Sequence, residues 1–462
     1  MKKLMIASDS SNSGKTVVTT GLLQIFADRG YSVGALKCGP DYIDPMFHES
    51  VQGVRSGNID LFLMGEEAAK KVTDGFSDLD IVLFEGVMGF YDGVAGTVRG
   101  SAYEIARLTD TPVILVIDPG AQGNTIAARV LGMKEYAPDN NIAGVILNRC
   151  SKSRYDFYKD ILERENGLPV FGYLEKLADA DFESRHLGLA SPEEIDGYRE
   201  KLKKTASAME ETLDIDGITS VMTQGTVLCV RSVCPVNSRT VRNSDTENRP
   251  LCRIAVARDE AFSFYYRNSL EKLEKLGAEL VCFSPMRDRG LPDGTDALYL
   301  GGGYPELHMD ELSGNKAMRA QIKQAVDQGM PVIAECGGFL YLQDEIITAE
   351  GERFKGCGVF RGRAAACDRP VRFGYCVMKA KNNSVLFNKD EEIPAHEFHY
   401  WDTDGNGNDM MISKPGKDLS YEECFVNENL YAGFPHVCLD TYLPLAERFV
   451  KAAAKFRAEK ER

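Results

Sequence analysis

Along the first half of the chain, short apolar runs alternate with stretches of helical period. Leu4–Ser8 is an apolar run that ends in small polar residues, and Val17–Asp28 after it repeats its apolar positions at three- and four-residue intervals. Further strand-like runs lie at Val33–Lys37, Asp80–Glu85, Pro112–Asp118, Ile142–Asn148 and Pro169–Leu174, with helical stretches around Ser101–Leu108 and Asn124–Tyr136. This alternation predicts an α/β domain built on a mainly parallel sheet, because parallel strands are covered on both faces and read as continuous apolar runs. Pro192–Leu213 then reads as one long, charged, solvent-facing helix.

The period breaks at Arg231–Pro250, a polar, turn-rich stretch that reads as a linker or flexible insertion. The alternation starts afresh beyond it. Strands are expected at Arg253–Ala257, Glu279–Phe283, Ala297–Leu300 and Pro331–Glu335. Helices are expected at Tyr266–Leu276, Asn315–Gln328 and, closing the chain, Leu439–Phe456. The expected organisation is therefore α/β with two doubly wound domains, residues 1–230 and 251–462, joined through 231–250.

Composition narrows the function classes. The 462 residues carry 54 Lys+Arg against 69 Asp+Glu, a formal charge of −15, so an anionic ligand needs a local basic cluster and nucleic acid is not an expected partner. No apolar run approaches the ~20 residues of a membrane span. The N-terminus turns polar at Ser8-Asp9, too early for a signal peptide, which points to a cytoplasmic enzyme with no membrane partner. The 12 cysteines are scattered through apolar stretches such as Val281-Cys282-Phe283, a placement that predicts free thiols rather than a disulfide framework.

Three segments carry candidate chemistry in the first half. Between the first strand and first helix stands Ser8-Asp9-Ser10-Ser11-Asn12-Ser13-Gly14-Lys15-Thr16, where backbone N–H groups, the Lys15 charge and the Thr16 hydroxyl suit phosphates and Mg²⁺. Asp9 occupies the position of the first glycine of the strict pattern, and Ser8 and Asn12 also replace glycines. The run Asp80–Asp92 delivers Glu85 from the carboxyl end of a buried strand into a glycine-flanked loop, where it can complete a Mg²⁺ site. The third segment, Lys37-Cys38-Gly39-Pro40-Asp41-Tyr42-Ile43-Asp44-Pro45, puts a lysine and two carboxylates on a stiff loop directly after a strand.

In the second half, Ala334-Glu335-Cys336-Gly337-Gly338 places a thiol on a sharp strand-to-helix turn, the geometry of an exposed nucleophile. Gly301–Glu306 ends another strand, so Gly302, Gly303 and Gly337 are candidate oxyanion and glutamine positions. His436, far downstream of Cys336, is the candidate base. His396 and His399 have no third ligand in sequence for a metal site.

Together these motifs resemble the glutamine-dependent cobyrinic acid a,c-diamide synthase family. The matching residues are Gly14-Lys15-Thr16, Lys37 with Gly39–Pro45, Glu85–Gly93, Gly301–Glu306, Glu335–Gly338 and His396-Glu397-Phe398-His399. The resemblance implies a P-loop domain of dethiobiotin-synthetase type followed by a class I glutamine amidotransferase domain. It implies a ligase that phosphorylates the a and c carboxylates of a corrinoid with ATP and displaces each phosphate with ammonia from glutamine. By resemblance, Ser13, Gly14, Lys15, Thr16 and Asn148 serve the nucleotide, with Asn148 reading adenine. Thr16, Asp44 and Glu85 hold Mg²⁺, and Lys37, Asp41, Tyr42 and Asp92 face the substrate.

One feature of the second half stands apart from the family pattern. Triad-type amidotransferases carry Glu two residues after the histidine, and position 438 is Cys, so a Cys336–His436 dyad or an orienting group from elsewhere is expected. Nickel-sirohydrochlorin and hydrogenobyrinic acid remain alternative substrates, and the reading leaves room for a homodimer. Cobyric acid synthase carries a different loop in place of Gly39–Pro45. A switch ATPase of the partitioning type would carry a second lysine early in the P-loop, and would leave Cys336 and His436 without a task.

Overall fold

The computed structural model describes residues 1–176, 192–224 and 250–462; apart from its last residue, the expected linker 231–250 lies outside them. Seven strands build the first sheet: β1 (Lys2–Ser8), β2 (Val33–Cys38), β3 (Arg55–Ile59), β4 (Ile81–Glu85), β5 (Val113–Ile117), β6 (Ile142–Leu147) and β7 (Val170–Tyr173). They run parallel in the order β3-β2-β4-β1-β5-β6-β7, and a short β8 (Thr223–Gln224) pairs antiparallel with β1. Ile81, Val82, Leu83 and Phe84 are wholly inaccessible, as two-sided cover of a parallel strand requires.

The register decides the chemistry. Glu85 at the end of β4 is opposite Lys37 of β2 on one side and Ile6 of β1 on the other. The carboxyl ends of three adjacent strands thus carry the P-loop, Lys37 and Glu85, where open α/β sheets bind their ligands. Helix α1 (Lys15–Asp28) starts directly from the P-loop. The stiff loop after β2 is shorter than its prolines suggested: α2 (Ile43–Ser50) begins inside it, with Pro45 in the first turn, where a missing N–H costs nothing.

The second half is a separate sheet. Strands β9 (Cys252–Ala257), β10 (Ala278–Phe283), β11 (Ala297–Leu300) and β12 (Val332–Glu335) are parallel in the order β10-β9-β11-β12, followed by parallel Leu430–Gly433 and antiparallel Phe425–Asn427. Between β12 and Leu430 the chain forms most of two smaller sheets; one of them pairs Arg372–Ala380 with Glu392–His399 and is joined by His436–Val437 from beyond Gly433.

Two helices differ from expectation. Pro192–Thr212 is not simply solvent-facing: Leu202, Thr205, Ala206 and Met209 form a buried stripe, and Met209 packs on Gly21 of α1. A spacing of three and four residues among charged neighbours hides such a stripe in a mostly polar sequence. The closing helix runs Leu445–Lys460 rather than from Leu439, with Pro444 at its N-cap. Every cysteine among the described residues is free, as the scattering predicted.

The halves touch through named contacts. Helix α3 (Leu61–Asp74) is N-capped by Asp60, whose Oδ1 accepts from the N–H groups of Phe62 and Leu63. Its other oxygen accepts from the Tyr375 hydroxyl of the second half at 2.6 Å. Tyr42, Tyr266 and Cys438 belong to the same apolar core as the first sheet.

Candidate active site

The P-loop is held in shape by side chains that replace the glycines of the strict pattern. Asn12 adopts φ 61° and Gly14 φ 95°, both left-handed, a conformation asparagine tolerates better than most side chains. Asp9 pairs with Arg129 at 3.0 Å and accepts from Ser10 and Ser13. A Cβ on Gly14 would collide with the Asn148 amide, which donates to the Ser13 carbonyl at 2.8 Å. Asn148 therefore braces the loop from the end of β6.

Lys15 spreads its ammonium protons over Ser8 Oγ (2.8 Å), the Ser10 carbonyl (3.0 Å) and the Met88 carbonyl (2.7 Å). Burial, with the nearby Lys37 charge, lowers its pKa to about 8. The Thr16 hydroxyl donates to Glu85 Oε1 at 2.5 Å. The same carboxylate oxygen receives Lys37 Nζ at 2.9 Å, while Lys37 lies 2.5 Å from Asp44 and 4.0 Å from Asp41.

His48 completes this buried network. It lies one helical turn after Asp44 in α2, is fully buried, approaches Glu85 Oε2 at 3.5 Å and meets Gln52 at 2.9 Å through its other nitrogen. Burial alone would raise Glu85, but Lys37, His48 and Thr16 outweigh it and hold the carboxyl well below the usual range. Burial likewise works against charge on Lys37, and Asp44 and Glu85 overcome it, so the lysine stays protonated well above its usual value. Asp44 is pushed by burial to about 7 even against the Lys37 charge. His48 shifts upward: burial works against its charge, and Glu85, Gln52 and Asp44 together outweigh that cost. Sequence reasoning missed His48; the i, i+4 spacing from Asp44 is the signal that could have found it.

The remaining first-half positions separate. Asp41 caps the start of α2, its carboxylate accepting the Ile43 N–H at 2.8 Å. Asp92 is exposed and accepts the Gly89 N–H at 2.9 Å, which shapes the loop after β4. Tyr42 is not on an open cleft: it is buried against Phe264, Tyr266 and His436, with ring centroids at 5.2, 4.6 and 5.2 Å. Among the described residues, no cluster of three or more His, Cys, Asp or Glu is arranged to hold a metal ion unaided.

In the second half, Cys336 sits between β12 and the short helix Gly337–Tyr341 with φ 48° and ψ −103°, a strained turn for a residue with a Cβ. Its N–H donates to the Gly433 carbonyl at 2.8 Å. The adjoining glycines are required by contact. A Cβ on Gly338 would strike the Leu300 carbonyl, and one on Gly337 would lie 3.2 Å from the Gly303 nitrogen, so the two glycine loops abut. A Cβ on Gly302 would come within 2.5 Å of His436 Cε1. Cys336, Gly302, Gly303, Gly337 and His436 are thus brought together from the ends of three neighbouring strands.

His436 is buried, and burial would lower its pKa, but the neighbouring Cys336 and Glu335 raise it to about 10. Glu335 is a second residue that sequence reasoning named only as part of a motif. It is 1% exposed, with Oε2 3.8 Å from His436 Nδ1. His396, opposite His436 in the strand register, is depressed to about 3 by burial and the His436 charge; His399 stacks on Phe434.

Comparison with known proteins places both halves. Residues 4–189 match the model of the CobQ/CobB/MinD/ParA nucleotide binding domain, and residues 253–443 that of the CobB/CobQ-like glutamine amidotransferase domain. The chain is 38% identical over 456 residues to the cobyrinate a,c-diamide synthase of Caldanaerobacter subterraneus subsp. tengcongensis, spanning 98% of each chain. It is 36% identical to that of Dehalococcoides mccartyi, spanning 99% of each, and 38% identical to that of Clostridium acetobutylicum, spanning 95% of this chain and 97% of the relative.

Proposed function

The chain belongs to the cobyrinate a,c-diamide synthase family, and from that premise we propose that it amidates the a and c carboxylates of cobyrinic acid, using ATP and glutamine. In this reading residues 1–230 form the synthetase domain and 251–462 the amidotransferase domain. A substrate carboxylate attacks the γ-phosphorus of ATP, ADP leaves, and ammonia then attacks the acyl phosphate and expels phosphate. Ser13, Gly14, Lys15 and Thr16 bind the nucleotide phosphates. With its amide donating to Ser13, Asn148 meets adenine through its carbonyl oxygen.

Lys37 and Asp41 face the reacting carboxylate, Asp92 the corrinoid at the loop tip, and Tyr42 supports the site from behind. Mg²⁺ fits the donor set. The Thr16 hydroxyl and an ionised Glu85 converge within 2.5 Å beside the P-loop, hard oxygens of the kind the ion takes together with phosphates and water. Asp44, now 2.5 Å from Lys37, would be a third oxygen for the ion. Bound there, Mg²⁺ would neutralise phosphate charge.

At the other centre Cys336 attacks the glutamine amide. The proton held by His436 leaves with ammonia, and Gly302, Gly303 and Gly337 surround the developing oxyanion. One observation carries the reading. Tyr42 packs on His436, while Asp44, two residues on, binds Lys37, so both centres share one aromatic wall. Cys336→Ser tests it: glutamine-dependent amidation should vanish while amidation with concentrated ammonia persists. Retained glutaminase activity would refute the nucleophile.

A further inference from the structure

The acid expected two residues after His436 is absent, and its replacement cannot take its place. Cys438 is buried, its thiol pushed up to about 12 by burial, and its sulfur lies 3.8 Å from Ser269. A neutral thiol turned toward Ser269 carries no charge to the imidazole.

Glu335 is arranged to supply it from the opposite direction. Its Oε1 accepts the Val437 N–H at 2.9 Å, and its Oε2 accepts the Tyr299 hydroxyl at 3.1 Å while lying 3.8 Å from His436 Nδ1. Both bonds run from donors to the carboxylate and fix its orientation. Among the described residues His436 is the one ion-pair partner of this buried carboxylate. With Nδ1 toward Glu335, the other ring nitrogen is left for Cys336. The 3.8 Å separation is long for a hydrogen bond, and such contacts commonly tighten when substrate binds.

We propose that Glu335 is the positioning acid of the thiol site, orienting His436 and stabilising its imidazolium in place of the acid missing at position 438. The proposal rests on the glutaminase reading above. Cys336 passes its proton to His436 as sulfur bonds to the amide carbon. The imidazolium returns that proton to the departing ammonia as the carbon–nitrogen bond breaks. Water then cleaves the thioester, giving glutamate and the thiol. Glu335 acts in each step by holding the imidazolium that forms, without itself moving a proton.

The surroundings make the proposal readable by pH. Tyr42, Tyr265, Tyr266, Tyr299 and Tyr431 are shifted upward chiefly by burial, and His396 is depressed to about 3. None of these changes charge between about pH 5 and pH 9; Glu306, in the loop after β11, is pushed up to about 7 by burial and titrates there in wild type and variant alike, while His436, raised to about 10, sets the basic limb above that range.

Glu335→Gln keeps an acceptor for Val437 and nearly the same volume but removes the charge. Glutaminase kcat should fall roughly 10²-fold or more with KM for glutamine within about twofold. The basic limb of kcat/KM should move down by about one pH unit or more, because an imidazolium without its carboxylate loses its proton earlier. Glu335→Asp, which keeps the charge, should retain the wild-type basic limb even where kcat falls. An unchanged kcat and basic limb in Glu335→Gln overturns the proposal and leaves Glu335 as a strand tie. So does a parallel loss of ammonia-dependent amidation and melting temperature in both variants. If instead Cys336→Ser still hydrolyses glutamine, the site reading itself has failed.

Discussion

Replacing Lys37 by methionine keeps the stem of the side chain and removes a charge from the middle of a buried network. The ammonium lies 2.5 Å from Asp44 and 2.9 Å from Glu85, and all three side chains are almost inaccessible. Deleting one partner of a buried ion pair costs roughly 3–5 kcal/mol, since the remaining carboxylates keep their desolvation cost without a counterion. For a domain of about 200 residues each kcal/mol moves the melting temperature by about 2–4 °C, so a fall of roughly 6–20 °C is expected.

Asp44 supplies an internal check. Its folded pKa of about 7 lies above the ordinary carboxylate value, so its proton favours the folded state at low pH and that contribution fades as pH rises through 7. Without Lys37 the folded value climbs further, and Lys37→Met should lose more stability at about pH 8 than at about pH 6. Adding Asp44→Asn should recover most of the loss, because coupled charges removed together do not add. Thermal melts of wild type, both single variants and the double variant at the two pH values measure this. A Lys37→Met melt within about 2 °C of wild type, or a double variant that melts at the sum of the single losses, refutes the network.

Lys15→Ala should abolish amidation from both nitrogen donors, because carboxylate activation precedes either one; ammonia-dependent synthesis at the normal rate would remove the P-loop from the mechanism. Gly302→Ala forces a methyl to within 2.5 Å of the His436 ring and should cut glutaminase about 10²-fold while sparing ammonia-dependent synthesis, read by glutamate release. Glu85→Gln should raise the Mg²⁺ requirement of ammonia-dependent turnover about tenfold or more. Asp92→Asn, exposed at the loop tip, should leave that requirement alone and change the ratio of mono- to diamide seen by chromatography.

Most of the first half was legible because its strands are buried on both faces and largely apolar, as at Ile81, Val82, Leu83 and Phe84, whereas the polar β3, Arg55–Ile59, was not among the expected strands. Residues 343 to 437 were not, since their strands bury charges in pairs. Glu392–His399 carries Glu397 inward onto Lys414 and the Tyr421 hydroxyl, 2.5 Å from each, and this pairing erases the apolar alternation that would mark a strand. The P-loop and Cys336 could be read because their chemistry is contiguous. His48 and Glu335 could not, because what gives them meaning is a partner distant in sequence: Glu85 for one, His436 and Tyr299 for the other. Tyr42 was visible as a loop residue, but its place against His436 follows from how two sheets meet.

The central claim is that one chain transfers the amide nitrogen of glutamine onto two carboxylates of cobyrinic acid at the expense of ATP. Mass spectrometry of the corrinoid after incubation with ATP, Mg²⁺ and glutamine isotopically labelled at its amide nitrogen tests it most directly. The account predicts a monoamide that gives way to a diamide carrying two labelled nitrogens, with one ATP hydrolysed for each. Unmodified cobyrinic acid, or a product that stops at one labelled nitrogen with ATP and glutamine still in excess, would contradict it.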